Sequence, residues 1–97
     1  MNSTKKQAMI KTTLTVINPL GLHARPSSLL TRTASTFKSD ITIEHDGVVS
    51  NVKSIMSVMM QAACCGMTLE LTVNGVDEKE ATIAITKLFE SGFDECY

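Results

Sequence analysis

The stretch NPLGLHARPSS, Asn18 to Ser28, separates two kinds of sequence pattern. Before it, IKTTLTVI (10–17) alternates apolar side chains with threonines, which is typical of a half-buried strand. After it, apolar side chains recur at helical spacing, at Pro26, Leu30, Ala34 and Phe37. Ser27 falls on the opposite, polar side. Because proline is tolerated in the first turn of a helix, Pro26 places the helix start at or just before itself.

The segment 40–52 has the pattern of a hairpin. DITIEH (40–45) alternates Ile41 and Ile43 with polar neighbours, and VVSNV (48–52) follows an Asp-Gly pair at Asp46 and Gly47. An Asp-Gly pair between two such runs is typical of a tight turn between antiparallel strands. We therefore predict two paired strands here.

The second half of the chain adds a short helix, a strand and a longer helix. SIMSVMMQAA (54–63) opens with Ser54, a residue suited to capping, and favours a short helix. MTLELTV (67–73) places apolar side chains on one face of a strand and polar ones on the other. DEKEATIAITKLFESG (77–92) predicts the last helix, with Asp77 and Glu80 as a capping box, Gly92 as the C-terminal cap, and an apolar stripe of Ala81, Ala84, Ile85 and Leu88.

These elements follow the order strand, helix, strand, strand, helix, strand, helix. Four strands that each have one apolar face need a cover, and the amphipathic helices between them supply it from a single side. The sequence therefore predicts a two-layer α+β domain over residues 10–97. Residues 1–9 are polar and unpatterned, and we expect them to form a flexible lead-in.

Composition excludes several functional classes. The 97 residues have a formal net charge of -1, without the basic surface that binds nucleic-acid phosphates or anionic membranes. No run approaches the roughly 18 apolar residues of a membrane span, and no apolar segment of a signal peptide follows the first lysines. We therefore expect a cytoplasmic protein with neither nucleic acid nor membrane as a partner.

The three cysteines, Cys64, Cys65 and Cys96, match no disulfide framework, so we expect reduced thiols. A metal site formed by these cysteines and His45 is disfavoured, because adjacent cysteines without the usual two-residue spacer cannot easily share one tetrahedral site. We predict no metal site.

The chemistry of the chain is concentrated at His23 and Arg25. With Pro26 in the first helical turn, His23 lies at the cap, where outward-pointing amides and the Arg25 guanidinium suit an anion such as a phosphoryl group. The same positive potential disfavours a charge on His23, and a neutral imidazole is a nucleophile that can accept a phosphoryl group. A plain surface histidine is the alternative, but the Gly-x-His-x-Arg-Pro combination favours the phosphoryl site.

NPLGLHARPSS, together with KSIMSVM (53–59), resembles the histidine-containing phosphocarrier (HPr) family of the bacterial phosphoenolpyruvate-dependent phosphotransferase system. The resemblance covers Ile10 to about Gly92. It implies an open-faced β-sandwich, a four-stranded antiparallel sheet covered on one face by three helices (β-α-β-β-α-β-α). It also implies that His23 carries the phosphoryl group and that Arg25 helps to hold it.

The family's mechanism implies the partners. Enzyme I, charged by phosphoenolpyruvate, would phosphorylate His23, and the group would pass to a IIA-type acceptor. The chain would be a monomeric phosphoryl carrier rather than a stand-alone enzyme, and it would need no cofactor.

The resemblance also implies a regulatory position and a docking surface. In the family branch with KSIM, an HPr kinase/phosphorylase modifies the serine that corresponds to Ser54; a plain capping serine is the alternative. The short helix carries more apolar side chains than one buried face can use, so we expect some to be exposed. The residues implied in partner docking are Ser28, Leu29, Ile55, Met56 and Met59.

Two departures leave the pathway open. Leu20 stands where sugar-type carriers usually have a small polar residue, and LFESGFDE (88–95) is similar to the tail of the nitrogen-related carrier NPr. The alternatives are therefore a carrier in a nitrogen-related relay and a regulatory binding module that never accepts phosphate. A domain that binds a small ligand is a further alternative, without a pocket signature in the sequence.

Overall fold

A computed structural model describes residues 9–95 of the chain. Its elements follow the predicted order: β1 (Ile10–Thr15), α1 (Ala24–Ser35), β2 (Asp40–His45), β3 (Val48–Asn51), α2 (Ile55–Met60), β4 (Thr68–Asn74) and α3 (Glu78–Glu90). A short 3-10 turn, Gly92–Asp94, follows α3. Residues 1–8 of the predicted lead-in lie outside the described residues, so the lead-in and the domain boundary stay predictions.

The four strands form one antiparallel sheet in the order β1-β4-β2-β3. β4 lies between β1 and β2, so that Leu69 is opposite Leu14 on one side and Leu71 is opposite Ile43 on the other. These side chains point to the same face and are buried. The predicted alternation of the strands is confirmed, because a period of two places one set of side chains on the helix side.

All three helices contribute to the core on that face. Leu30 and Ala34 of α1, Val58 of α2, and Ala81 and Ile85 of α3 are fully buried. Burying one such large aliphatic side chain contributes roughly 1.5–3 kcal/mol, so the helix faces identified by periodicity hold the two layers together. The α+β open-faced sandwich is confirmed.

Two details of α1 differ from the prediction. Ser27 was predicted on the polar side, but it is buried, and its hydroxyl donates a hydrogen bond to the carbonyl of Leu22 at 3.0 Å. A small hydroxyl can be buried there because it forms a hydrogen bond to a backbone carbonyl just before the helix. The helix ends at Ser35, two residues before Phe37, which still packs against the core.

The predicted capping box of α3 is wrong. Asp77 precedes the helix, but its carboxylate accepts hydrogen bonds from the backbone amides of Lys38 (2.8 Å) and Ser39 (2.9 Å) and from the Ser39 hydroxyl. These hydrogen bonds lower the pKa of Asp77 from 3.8 to about 2, and the bond from the Ser39 hydroxyl has the largest effect. Asp77 therefore ties the segment before β2 to the start of α3.

Gly92 confirms the predicted end of α3. Ser91 is the capping residue, and Gly92 follows it with a φ of 62°, in the left-handed region where a glycine avoids steric cost. Over residues 9–95, none of the helices has the length and apolar character that crossing a membrane requires.

Candidate functional site

The loop between β1 and α1 is held against the turn that precedes β4. The amide of Gly21 donates to the carbonyl of Asn18, and the amide of Leu22 donates to the carbonyl of Ala63, both at 2.9 Å. Gly21 has a φ of 69°, and a Cβ at this position would lie 2.4 Å from the Ala63 oxygen. Only glycine fits this close approach. The backbone that leads into His23 is therefore fixed.

His23 is the capping residue of α1, as predicted. Its backbone is extended (φ −77°, ψ −169°), and its carbonyl accepts the first helical hydrogen bond from Ser27. The imidazole makes no capping hydrogen bond, and 36% of the side chain is exposed. Helix geometry leaves the amides of Ala24 and Arg25 without a partner in their own helix, and no acidic residue lies in the first turn. The helix start therefore presents a positive potential beside the ring.

A carboxylate from the other end of the chain contacts the ring. Nε2 of His23 lies 3.0 Å from Oε2 of Glu95, whose side chain is only 7% exposed. Nε2 is buried and, within residues 9–95, has no hydrogen-bond partner in good alignment, so the contact is electrostatic. The other oxygen of Glu95 accepts from Nδ2 of Asn18 at 3.1 Å. The carboxylate opposes the positive potential of the helix start. From the sequence, only that positive potential was expected to act on His23, and a carboxylate beside the ring was not.

The C-terminal turn brings Glu95 to this place. Phe93 is buried, and its ring meets that of Phe89 edge to face with centroids 4.9 Å apart. Sequence reasoning missed Glu95, because a single glutamate in a polar tail has no spacing that relates it to His23. The only available signal was the apolar Phe93 two positions earlier, which anchors the tail to the core.

Arg25 is exposed in the first turn of α1 and lines a shallow cavity of about 210 Å³ next to His23. Arg32, two turns along the same helix, lines the same cavity, and the facing wall carries Asp94 and Glu95. The structure thus brings the predicted Arg25 to the same side of α1 as the carboxylate that contacts His23. The two guanidinium groups can contact an anionic group, while the two carboxylates of the facing wall offset part of their charge.

Comparison with known proteins gives the family. Residues 10–91 match the family model described as PTS HPr component phosphorylation site. The chain is 47% identical over 87 residues to the phosphocarrier protein HPr of Treponema pallidum, covering 90% of this chain and 99% of that protein. The chain belongs to the HPr family. It is therefore related to the phosphocarriers of the phosphotransferase system.

Two further HPr-family comparisons bear on pathway and fold. The chain is 43% identical to the phosphocarrier protein NPr of Proteus mirabilis, covering 80% of this chain and 88% of that protein. The crystal structure of HPr-C-His from Thermoanaerobacter tengcongensis superposes with a TM-score of 0.87 at 41% identity, covering 91% of this chain and 99% of that one. The HPr fold is thus confirmed, and both HPr and NPr proteins are among the relatives.

Ser54 takes the capping position of α2 in this HPr domain. Its Oγ accepts a hydrogen bond from the amide of Ser57 at 3.3 Å, and its side chain is half-buried. The predicted capping role is confirmed. A hydroxyl at a short helix start is reached from solvent more easily than one in the core, but its modification stays a prediction.

The residues that the HPr resemblance implied for docking lie on α1 and α2, which pack against each other. Ser28 and Leu29 are half-buried in the first turns of α1. On α2, Ile55, Met56 and Met59 are 38%, 64% and 39% exposed. The expectation that α2 exposes part of its apolar surface is therefore confirmed. The docking role stays a prediction.

Cys64 and Cys65 are exposed on the turn before β4, with their sulfur atoms near the carbonyl oxygens of Ala62 (3.5 Å) and Ile17 (3.6 Å). Cys96 lies outside the described residues. In the part of the chain that the structure describes, no group of three or more potential metal ligands comes together. The structure gives the thiols of Cys64 and Cys65 no role in the site around His23.

Proposed function

We propose that this HPr-family chain accepts a phosphoryl group from enzyme I on Nδ1 of His23 and donates it to a IIA-type acceptor in the cytoplasm. One observation carries the assignment of the atom. Nε2 is buried against Glu95, while 36% of the His23 side chain is exposed. Nδ1 is therefore the ring nitrogen that an incoming phosphoryl group can reach.

The surroundings of His23 suit the charge of a phosphoryl group. The amides of Ala24 and Arg25 at the helix start and the Arg25 guanidinium can contact its oxygens. These donors lie at the surface rather than in a dry cleft, so water still solvates the bound group. The phosphohistidine is held without being stabilised too far, and transfer in both directions stays possible.

The transfer step requires little of this chain itself. The lone pair of Nδ1 attacks phosphorus, the bond that joins the phosphoryl group to enzyme I breaks, and the same step then runs toward the IIA acceptor. Because Arg25 and the helix start are the groups of this chain that would contact the phosphoryl oxygens, the partner enzymes would supply much of the transition-state stabilisation.

The partners would bind the surface formed by α1 and α2. The start of α1, with Ser28 and Leu29, and the exposed Ile55, Met56 and Met59 of α2 form the proposed docking surface. Flexible thioether side chains adapt to different partners, which suits a carrier that binds a donor and an acceptor in turn.

Ser54 is the proposed regulatory position. A phosphate there adds about −1.5 to −2 charges next to the apolar side chains of α2. Such a charge would weaken binding of partners to the docking surface. An HPr kinase/phosphorylase is the proposed modifying enzyme.

A nitrogen-related relay is the second candidate, favoured by the similarity to the Proteus mirabilis NPr. Phosphorylated protein can be offered to a sugar-type and a nitrogen-type IIA acceptor in parallel. The acceptor that is phosphorylated faster decides between the two pathways.

The experiment that tests the carrier function is incubation with phosphoenolpyruvate and enzyme I. The full chain should acquire an acid-labile phosphate, and His23→Ala should not. An equally labelled His23→Ala protein would show that the acceptor lies elsewhere, and a stable fold without any labelling of the native chain would support the regulatory binding module instead.

A further inference from the structure

Asn18 links the loop before His23 to the C-terminal turn. The side chain is 2% exposed, and its Nδ2 donates to the carbonyl of Gly21 at 2.6 Å and to Oε1 of Glu95 at 3.1 Å. Both acceptors are oxygen atoms, so only the amide nitrogen can face them, and the orientation of the amide is decided by chemistry. The Asn18 amide therefore forms hydrogen bonds to both the backbone of the His23 loop and the Glu95 carboxylate.

The amide oxygen of Asn18 is less well placed. It is buried, and among the described residues it has no hydrogen-bond partner. A buried acceptor without a partner is unfavourable, so packing alone does not account for an asparagine here. Its value lies in the two bonds that its nitrogen donates.

Both oxygens of the Glu95 carboxylate take part in the contacts around His23. Oε1 is held by Asn18, and Oε2 lies 3.0 Å from Nε2 of His23. A negative charge at this distance favours a proton on the nitrogen that faces it, because a bare lone pair on Nε2 would be repelled by the carboxylate. A neutral ring protonated on Nε2 carries its lone pair on Nδ1.

The backbone that delivers Glu95 is strained. Phe93 and Asp94 each have a φ of 58°, in the left-handed region that residues other than glycine rarely adopt. Phe93 is nevertheless buried against Phe89, which holds the turn in this conformation. The chain thus tolerates an unfavourable backbone at the point from which Glu95 reaches His23.

We propose that Asn18 and Glu95 are positioning residues for the phosphoryl transfer. Asn18 fixes the Glu95 carboxylate, the carboxylate keeps the ring proton on Nε2, and Nδ1 is left as the nucleophile that faces solvent. The effect on the rate of phosphoryl transfer rests on the proposed carrier function, whereas the tautomer of the His23 imidazole does not. Poor alignment of the contact in the free protein is compatible with this role, because such contacts often tighten in the reacting complex.

The decisive variant is Glu95→Gln in the full chain. Its amide oxygen can still accept from Asn18, so its NH₂ group then faces Nε2 and donates to it. The ring proton should move to Nδ1, which removes the lone pair that attacks phosphorus. ¹⁵N NMR of the His23 ring, at a pH where the imidazole is neutral and without any phosphoryl donor, reports the two tautomers directly. We expect Nε2–H in the native chain and Nδ1–H in the variant.

The same proteins are then compared as acceptors of the phosphoryl group from enzyme I. Glu95→Gln should be slower by on the order of tenfold or more, as expected for loss of a partner that sets the tautomer of a reacting histidine. Glu90→Gln, at an exposed position of α3, makes the same change of charge and should leave both readouts at native values. Asn18→Ala keeps Glu95 but removes the hydrogen bond that Asn18 donates to its carboxylate, and it should give a mixture of tautomers and a reduced rate. It serves as the second variant if Glu95→Gln does not fold, as judged by circular dichroism.

Two results overturn the proposal. One is a folded Glu95→Gln or Asn18→Ala protein with native tautomer and native rate. The other is a reduced rate with an unchanged tautomer, which would assign Glu95 a purely structural role. A native chain that accepts no phosphoryl group contradicts the carrier function instead, and the NMR comparison still decides the role of the pair.

Discussion

Gly21 approaches Ala63 so closely that a Cβ on Gly21 would lie 2.4 Å from the Ala63 carbonyl oxygen. Gly21→Ala should therefore destabilise the protein in two ways, through this clash and because Gly21 has a φ of 69° that alanine rarely adopts. The backbone strain alone should cost about 1–3 kcal/mol, and the clash should add to it. The matched control is Gly47→Ala, because Gly47 has a φ of 82° but no heavy atom within 4 Å of the added Cβ. Urea denaturation of both variants measures the difference. Equal losses of unfolding free energy would show that the contact with Ala63 contributes nothing.

Asp77 gives the fold a dependence on acid pH. Its hydrogen bonds to Ser39 and Lys38 lower its pKa from 3.8 to about 2 in the folded chain. The ionised carboxylate therefore stabilises the fold fully at pH values above its ordinary pKa of 3.8. This contribution should decline as the pH falls from about 4 through about 2. Asp77→Asn should be less stable than the native chain at neutral pH, and the difference should narrow across that window. A difference that stays constant with pH would contradict the assigned cause.

Arg25→Ala should separate the chemistry from the fold. The side chain is exposed, so the unfolding free energy should change by no more than about 0.5 kcal/mol. The rate of phosphoryl acceptance should fall on the order of tenfold, because a charge-assisted contact to the group is lost. Arg32→Ala removes the same charge from the same helix two turns away and should have the smaller effect on the rate. An unfolded Arg25→Ala protein, or equal rates for the two variants, would refute this division of roles.

Ser54 combines a structural and a proposed regulatory role, and two substitutions separate them. Ser54→Ala removes the cap of α2 and should cost about 0.5–2 kcal/mol of stability, with no acid-stable phosphate introduced by the kinase and ATP. Ser54→Asp keeps a capping oxygen and adds a charge, so it should retain stability but slow transfer from enzyme I. Transfer at the native rate in Ser54→Asp, together with kinase labelling of Ser54→Ala, would leave only the capping role.

The fold was predictable from the sequence because each element carries its own local pattern. The alternation in β4, the Asp46-Gly47 turn and the apolar spacing of α1 are each visible within a few neighbouring residues. The position of His23 and Arg25 at the start of α1 was predictable for the same reason, since they lie two residues apart next to Pro26.

The rest of the site depends on contacts between distant parts of the chain. Asn18 and Glu95 meet only after the C-terminal turn has folded onto the core, and neither has a pattern that points to the other. Asp77 has the local sequence of a capping residue, yet tertiary contacts give its carboxylate better donors at Lys38 and Ser39. Local patterns predicted the elements well, whereas the choice of hydrogen-bond partners required the assembled structure.

The central claim concerns one atom, Nδ1 of His23. The most direct measurement is ³¹P and ¹⁵N NMR of the full chain after phosphorylation by enzyme I and phosphoenolpyruvate, with the ring nitrogens labelled. The account predicts one phosphoryl group with its ³¹P–¹⁵N coupling to Nδ1 of His23 and a proton retained on Nε2. A phosphoryl group on Nε2, or on any residue other than His23, would contradict it.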